Sequence, residues 1–145
     1  MRRFVLVLAV LVLGSLPAVA LGSGSAVKTL KASLKGAAEV PGPGSPGGTG
    51  KATLTLNDVT GRVCWTFSAL RHLAGTPNAA HIHRGKAGKA GSVVVPLGRA
   101  YGKQGCTMAS VALVKQIIAN PARFYVNVHN ALYPGGAVRS QLRTS

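Results

Sequence analysis

The segment that decides the fold is KATLTLNDVTGRVCWTFSAL, residues 51–70. From Lys51 to Leu56 apolar and polar residues alternate, and a period of two is typical of a strand with one buried face. Residues 57–61, NDVTG, have the composition of a tight turn, in which Asp58 is predicted to form an Asx-turn. Residues 62–70 have the composition of a second strand. The segment is therefore predicted to be a β-hairpin.

Segments on both sides of the hairpin show the same short pattern, interrupted by turns. Strands are predicted at residues 29–35, 79–84, 92–97, 124–129 and 137–142, and a short helix at 110–119. The glycine-rich stretches 41–50 and 85–91 predict an exposed loop and a turn. The long amphipathic crossover helices that a wound α/β fold needs are missing from the sequence. We therefore expect an all-β protein, an antiparallel β-sandwich with one short helix.

The amino-terminal segment has the pattern of a secretory signal peptide. Met1-Arg2-Arg3 is basic, residues 4–16 are apolar, and Ala18-Val19-Ala20 is a typical cleavage sequence. The apolar run is shorter than the roughly 18–20 residues that span a membrane. We therefore predict a signal peptide over residues 1–20 and a secreted protein without a transmembrane segment after cleavage. Cleavage after Ala26 and retention of the segment as an anchor are the alternatives.

The chain contains two cysteines, Cys64 and Cys106. Cys64 lies on the strand face opposite Val63, Trp65 and Phe67. The two cysteines are too far apart for a CxxC redox motif, and the oxidising environment of a secreted protein favours joining them. We predict a Cys64–Cys106 disulfide, and two buried free thiols are the alternative.

Acidic residues are very few. The 145 residues include 17 Lys and Arg but only 2 Asp and Glu, namely Asp58 and Glu39, so the formal net charge is +15. Glycosidases need paired carboxylates, Ser-His-Asp triads need an acid, and calcium sites need several acidic oxygens. No GxSxG nucleophile motif occurs either. We therefore expect no enzymatic activity.

Basic residues are spread along the chain and form no long run. A strongly positive protein attracts anionic polymers such as acidic polysaccharides or cell-wall phosphates. Only 5% of the residues are aromatic, and the sequence offers neither a stacking platform for bases nor a base-reading element. We therefore expect general attraction to anionic polymers and no sequence-specific binding of nucleic acid.

Three of the four histidines fall on predicted strands. His81 and His83 are two residues apart, so they lie on the same face of their strand. His129 lies on another strand, on the face that carries Tyr125 and Asn127. If the two strands are neighbours, three imidazoles can meet, and neutral imidazoles are good ligands for zinc or copper. The alternative is that these histidines only form hydrogen bonds to loop backbones.

Several motifs together resemble the chordin-domain (CHRD) family. They are EVP at 39–41, AAHIHRG at 79–85, VVVPL at 93–97, YVNVHN at 125–130 and PGGAVRSQL at 134–142. The resemblance implies one extracellular domain over residues 27–143 with an immunoglobulin-like β-sandwich or barrel. The family's signature positions fall on Glu39, His81, His83, His129, Arg139 and Gln141. The sequence departs from the family pattern at Ala137, where an acid is common, and at Ser140, where a glycine is usual.

A looser likeness extends to copper/zinc superoxide dismutases, which also combine an HxH strand, a later histidine and one disulfide. A dismutase needs further ligands, a bridging histidine and an aspartate. Here His72, predicted to lie in a solvated loop, is the one histidine left, and Asp58 is assigned to a turn. We therefore expect no appreciable dismutase activity.

These observations together predict a secreted, noncatalytic binding or structural module with a candidate copper or zinc site at His81, His83 and His129. One alternative is an extracytoplasmic redox protein that handles copper or zinc. The other is adhesion to anionic cell-surface polymers. The expected partner is an extracellular protein or such a polymer, and we expect a monomer.

Overall fold

The computed structural model describes residues 27–145. The predicted signal peptide at residues 1–20 and the second cleavage position after Ala26 lie outside the described residues.

The described part of the chain contains nine strands and one α-helix. The elements are β1 (Val27–Lys35), β2 (Thr49–Asn57), β3 (Arg62–Arg71), β4 (Pro77–Arg84), β5 (Val93–Pro96), β6 (Gln104–Met108), α1 (Val111–Ala119), β7 (Phe124–Asn130), β8 (Val138–Gln141) and β9 (Arg143–Thr144). Single turns of 3₁₀ helix follow β1, at Gly36–Ala38, and precede β7, at Pro121–Arg123.

All neighbouring strands are antiparallel, and they form one sheet in the order β5-β4-β7-β8-β1-β2-β3-β6, with β9 beside β1. β8 and β1 are joined by a single register pair, Lys35 and Arg139. The sheet as a whole forms a nearly closed barrel. The prediction of an all-β antiparallel sandwich or barrel is confirmed.

The predicted hairpin is β2 and β3, and its alternation determines which side chains enter the core. Leu54 and Leu56 of β2 and Val63 and Phe67 of β3 are completely buried. At roughly 25 cal/mol per Å² of apolar surface, each such side chain stabilises the fold by about 1.5–3 kcal/mol. Trp65 packs in the same core, and its indole N–H donates to Gly102 O at 2.9 Å.

The predicted disulfide is confirmed, and it joins β3 to a strand that the sequence did not predict. Cys64 and Cys106 stand opposite each other in the register of β3 and β6 and are bonded through sulfur. The β6 sequence, QGCTM, shows no apolar alternation, and none of its residues is fully buried. Pairing with β3 makes it a strand.

Two loop predictions need correction. In the β2–β3 turn the Asx acceptor is Asn57, whose Oδ1 accepts from Val59 N at 2.9 Å and Thr60 N at 2.8 Å, so Asp58 does not hold this turn. The stretch 41–50 is only partly exposed. Ser45 is buried within it, and its hydroxyl donates to His72 O at 2.7 Å. Backbone groups of the neighbouring loop thus anchor this segment to the barrel.

The single helix has the predicted position. Ser110 is its N-cap and accepts a hydrogen bond from Leu113 N, while Val114 and Ile117 face the core. The helix ends at Ala119, and Pro121 begins the following 3₁₀ turn. Between residues 27 and 145, no helix has the length and apolar character needed to cross a membrane.

Removal of the disulfide should lower stability substantially. Cys64 and Cys106 are 42 residues apart, and a cross-link over such a loop contributes roughly 4 kcal/mol by restricting the unfolded chain. We expect a Cys64→Ala/Cys106→Ala variant to lose about 2–4 kcal/mol of unfolding free energy in urea titrations. Reduced wild-type protein should show the same loss. A change below about 1 kcal/mol in both would contradict this role.

Candidate metal centre

Alternate residues of β4, β7 and β8 point away from the apolar core and form one polar surface. The strand register places them in adjacent rows across the three strands. These side chains, called the polar layer below, are His81, His83, Tyr125, Asn127, His129, Arg139 and Gln141. The other face of the same strands carries core residues such as Ile82 and Val126. The sequence predicted which residues share a face, and the pairing of β4 with β7 brings the two histidine strands together.

The histidines of the polar layer converge. One ring nitrogen from each of His81, His83 and His129 lies within 4.8 Å of the other two. The closest atoms are His81 Nδ1 and His129 Nε2, which are 3.1 Å apart. A tetrahedral zinc ion with Zn–N bonds of about 2.0–2.1 Å places its nitrogens roughly 3.3 Å apart. One pair already has this spacing, and the remaining ring has to move inward by at most about 1.5 Å.

Backbone carbonyls orient two of the three rings. His83 Nδ1 lies 2.9 Å from Gly91 O, and His129 Nδ1 lies 3.0 Å from Pro134 O. A carbonyl oxygen can only accept, so each Nδ1 carries the hydrogen and each Nε2 carries the lone pair. Metal-ligating histidines usually have such a partner on the second nitrogen. In both rings the nitrogen with the lone pair is therefore Nε2. That of His129 accepts from His81 Nδ1 at 3.1 Å, so a bound metal would replace this hydrogen bond and the His81 proton would move to Nε2.

The Nε2 atom of His83 is buried and has no hydrogen-bond partner among the described residues. Asn127 lies beside this ring and partly opposes the lowering of the His83 pKa by burial, but its own Oδ1 is also buried without a hydrogen-bond partner. A buried nitrogen without a partner costs about 1–3 kcal/mol. A metal ion bound at Nε2 would satisfy this atom, which fits the orientation of the other two rings.

All three imidazoles have lowered pKa values. Burial, followed by repulsion from His129 and His83, lowers the pKa of His81 to about 4. Burial also lowers the pKa of His83 and of His129, although the carbonyls of Gly91 and Pro134 partly oppose this shift. The rings are therefore neutral at pH 7, which is the state that binds metals.

Arg139 and Gln141 hold a loop over the polar layer. We call residues 85–91 the covering loop. Arg139 Nη2 donates to Lys86 O at 3.0 Å and to Lys89 O at 2.8 Å. Gln141 Nε2 donates to Gly85 O at 2.9 Å. It also lies close to the carbonyl oxygens of Ala122 and Phe124, at the start of β7. The two signature residues thus bind the chain's own backbone, and they fix the loop whose last residue orients His83.

Tyr125 links the histidines to Arg139. Its ring stacks on His83, with centroids 4.6 Å apart and planes inclined by 11°. The Arg139 guanidinium lies over the same ring, 3.4 Å from its centre. The Tyr125 hydroxyl accepts from Gly91 N at 3.2 Å. Sequence analysis placed Tyr125 on the histidine face but assigned it no role, because stacking depends on the neighbouring strands.

Glu39 lies beside Arg139 in a cleft of about 480 Å³. Both side chains are almost fully buried, and Glu39 Oε1 and Arg139 Nη1 each lack a hydrogen-bond partner among the described residues. The guanidinium of Arg139 and the ionised carboxylate of Glu39 therefore attract each other without a hydrogen bond between these two atoms. Burial raises the pKa of Glu39 to about 7, although Arg139 partly opposes the shift. Glu39, the one residue of the family resemblance outside the polar layer, therefore lies next to it.

His72 is exposed and does not belong to the three-histidine cluster.

Substitution Gln141→Glu should destabilise the domain more than Gln141→Leu. The Gln141 amide nitrogen faces the carbonyl oxygens of Gly85, Ala122 and Phe124. A glutamate would place an oxygen there, which cannot donate when it is ionised. Gln141 Oε1 also accepts from Arg139 Nη2 at 3.3 Å, and the stronger contact of a carboxylate at this place offsets only part of the lost hydrogen bonds. We expect a loss of roughly 2–4 kcal/mol at pH 7, against about 1–2 kcal/mol for the leucine variant. Equal losses in urea titrations would contradict the donor role.

Substitution Glu39→Gln should stabilise the protein at high pH only. The pKa of Glu39 rises from 4.5 to about 7 on folding, so ionising this carboxyl costs stability as the pH rises through that window. The variant resembles the protonated form. We expect equal stability of the two proteins near pH 4 and an advantage of about 1–2 kcal/mol for the variant at pH 8, after allowance for solvent screening. A difference independent of pH in urea titrations would refute this assignment.

One of three comparisons with known proteins identifies the family of this chain. The model of the CHRD domain family matches residues 30–142, nearly the whole described chain. No curated protein and no solved structure shows significant similarity to the sequence. The matched range spans residues 39–141, which contain all the positions that the motif resemblance singled out. The chain therefore belongs to the CHRD domain family.

Proposed function

We propose that this chain is a secreted, noncatalytic binding module that holds one transition-metal ion at His81, His83 and His129. The observation that carries the proposal is the convergence of three neutral imidazoles on one side of the sheet. The Nε2 atom of His83, which is buried without a partner, supports it.

Extracellular location is supported by two independent features. Residues 1–20 have the composition of a signal peptide. Cys64 and Cys106 are joined in the folded domain, and disulfides persist mainly in oxidising compartments.

The ligand set favours zinc or copper. Three imidazole nitrogens suit both metals and are poor ligands for calcium or magnesium, which prefer oxygen. Three protein ligands would leave a further coordination position for water or for a group of a partner protein. The proposed site could therefore take part in binding an extracellular partner.

The positions of the acidic residues leave the three-histidine cluster without a carboxylate that could serve as a general base. Glu39 lies beside Arg139, and Asp58 lies in the β2–β3 turn. Neither belongs to the three-histidine cluster, so the described residues supply no carboxylate ligand there. A bridging histidine of the dismutase type is also missing from that cluster.

The test is a metal titration of purified, chelator-treated protein with Zn²⁺ and with copper, in competition with a chelator of known affinity. We expect one ion per chain with a dissociation constant below about 1 μM. A His81→Ala variant should bind at least about 10-fold more weakly, since even loss of an outer partner of a metal ligand costs about 10–100-fold. Weaker binding than micromolar by wild-type protein would refute the metal site.

The matched control is His72→Asn, which removes the one histidine outside the cluster. His72 has a positive φ of 53°, and asparagine tolerates this conformation better than alanine does. The control should bind metal like the wild type. Thermal melting must show that His81→Ala is folded. If it unfolds, or if both variants lose metal equally, the histidines are structural. If the copper form cycles between oxidation states and turns over superoxide, the redox alternative is correct.

A further inference from the structure

The outer surface of the β9-β1-β2-β3 region carries only cations and small polar side chains in its central rows. In one row, Arg143 stands opposite Lys31, followed by Thr53 and Thr66. The next rows combine lysine or arginine with serine or threonine. We call the exposed cations of these rows the basic face: Lys31, Lys35, Lys51, Arg71 and Arg143.

No acidic residue belongs to these rows. Asp58 lies in the β2–β3 turn, and Glu39 is buried in the cleft beside Arg139, which Lys35 at the edge of the basic face also lines. The aromatic residues of β3, Trp65 and Phe67, point into the core. The rows of the basic face therefore carry cations and no carboxylate, and the strands present no aromatic ring on this side.

The arrangement of charge is unfavourable for the isolated domain. Arg143 and Lys31 are direct neighbours on adjacent strands, and like charges in this position are destabilising. Lys51 stands opposite Ser33, diagonal to Lys31, at roughly 7–8 Å. Where a natural protein departs from the usual pairing preferences of a sheet, the departure is most often found at a functional site. An anionic partner would relieve the repulsion.

Small polar side chains position the cations of the basic face and help to line a recess on it. Arg143 Nη2 donates to Ser33 Oγ at 2.8 Å, which holds the guanidinium against the sheet. Lys31, Lys51, Ser68 and Arg143 line a shallow recess of about 350 Å³. In such a recess the lysine and arginine side chains can pair with acidic groups. The serine and threonine hydroxyls can hydrogen-bond to the hydroxyl groups of a sugar.

We propose that the basic face binds an acidic polysaccharide, a linear polymer that carries carboxylate or sulfate groups. Neighbouring strands are about 4.8 Å apart, and alternate residues along a strand are about 6.6–7 Å apart. The face thus offers a flat array of cations to an extended chain. Single-stranded nucleic acid fits less well because no side chain of the face can stack on a base. This proposal is independent of the metal site.

The test measures binding of purified protein to immobilised polygalacturonate, which carries carboxylates, and to dextran sulfate. Neutral dextran and a single-stranded oligonucleotide are the comparison ligands. We expect binding to at least one acidic polysaccharide that weakens steeply as salt rises from about 0.05 to 0.3 M, because salt screens exposed charges. The preferred polymer identifies carboxylate or sulfate as the recognised group. Absence of binding to both polymers refutes the proposal.

The deciding variants are Lys31→Gln/Lys51→Gln/Arg143→Gln on the basic face and Arg99→Gln/Lys115→Gln/Arg123→Gln outside it. All six residues are exposed, and both variants lose the same charge. We expect the first to bind at least about 10-fold more weakly and the second less than about 3-fold, since contact charges outweigh distant ones. Equal losses would show attraction by net charge alone. Equally tight, equally sensitive binding of the oligonucleotide would favour nucleic acid and overturn the proposal.

Discussion

The buried guanidinium of Arg139 is the constraint on which the arrangement of this domain depends. Only 2% of the side chain is exposed, and a cation in that position needs compensation for its lost hydration. The covering loop supplies it through the carbonyls of Lys86 and Lys89, and the Tyr125 ring lies against the guanidinium. Glu39, whose pKa is raised to about 7, is only partly ionised beside it at neutral pH. The same loop ends at Gly91, whose carbonyl orients His83. The geometry of the histidine cluster thus depends on a charge that does not belong to it.

The outer surface of the barrel has two chemically different parts because the acidic residues are so few. On β4, β7 and β8 the polar side chains are covered by a loop and hydrogen-bond to its backbone, so their rings are held neutral and oriented. On β1, β2 and β3 the cations remain exposed, with no carboxylate beside them to form ion pairs. Covered polar groups favour a small, precisely held ligand such as a metal ion, whereas an open row of cations favours an extended anionic one.

Much of the fold was predictable because alternation is a local property. The hairpin of β2 and β3 and the capped helix follow from patterns within a few residues of each other. The disulfide was predictable for another reason, because the chain has only two cysteines and a secretory signal pattern. β6 was not predictable, since its residues become a strand only by pairing with β3. The acceptor in the β2–β3 turn was assigned to Asp58 instead of Asn57 because both side chains can form the same kind of turn, and only the backbone direction distinguishes them.

The sequence by itself determined which face of each strand is polar, and it therefore placed His81 and His83 side by side. It did not determine that β4 pairs with β7, which brings His129 to within 3.1 Å of His81 although the two are 48 residues apart. It also did not reveal that Arg139 and Gln141 bind the covering loop. Side-chain alternation is written in neighbouring residues, whereas the choice of strand partner results from packing of the whole core. Tertiary structure alone therefore decided where the cluster and the basic face lie.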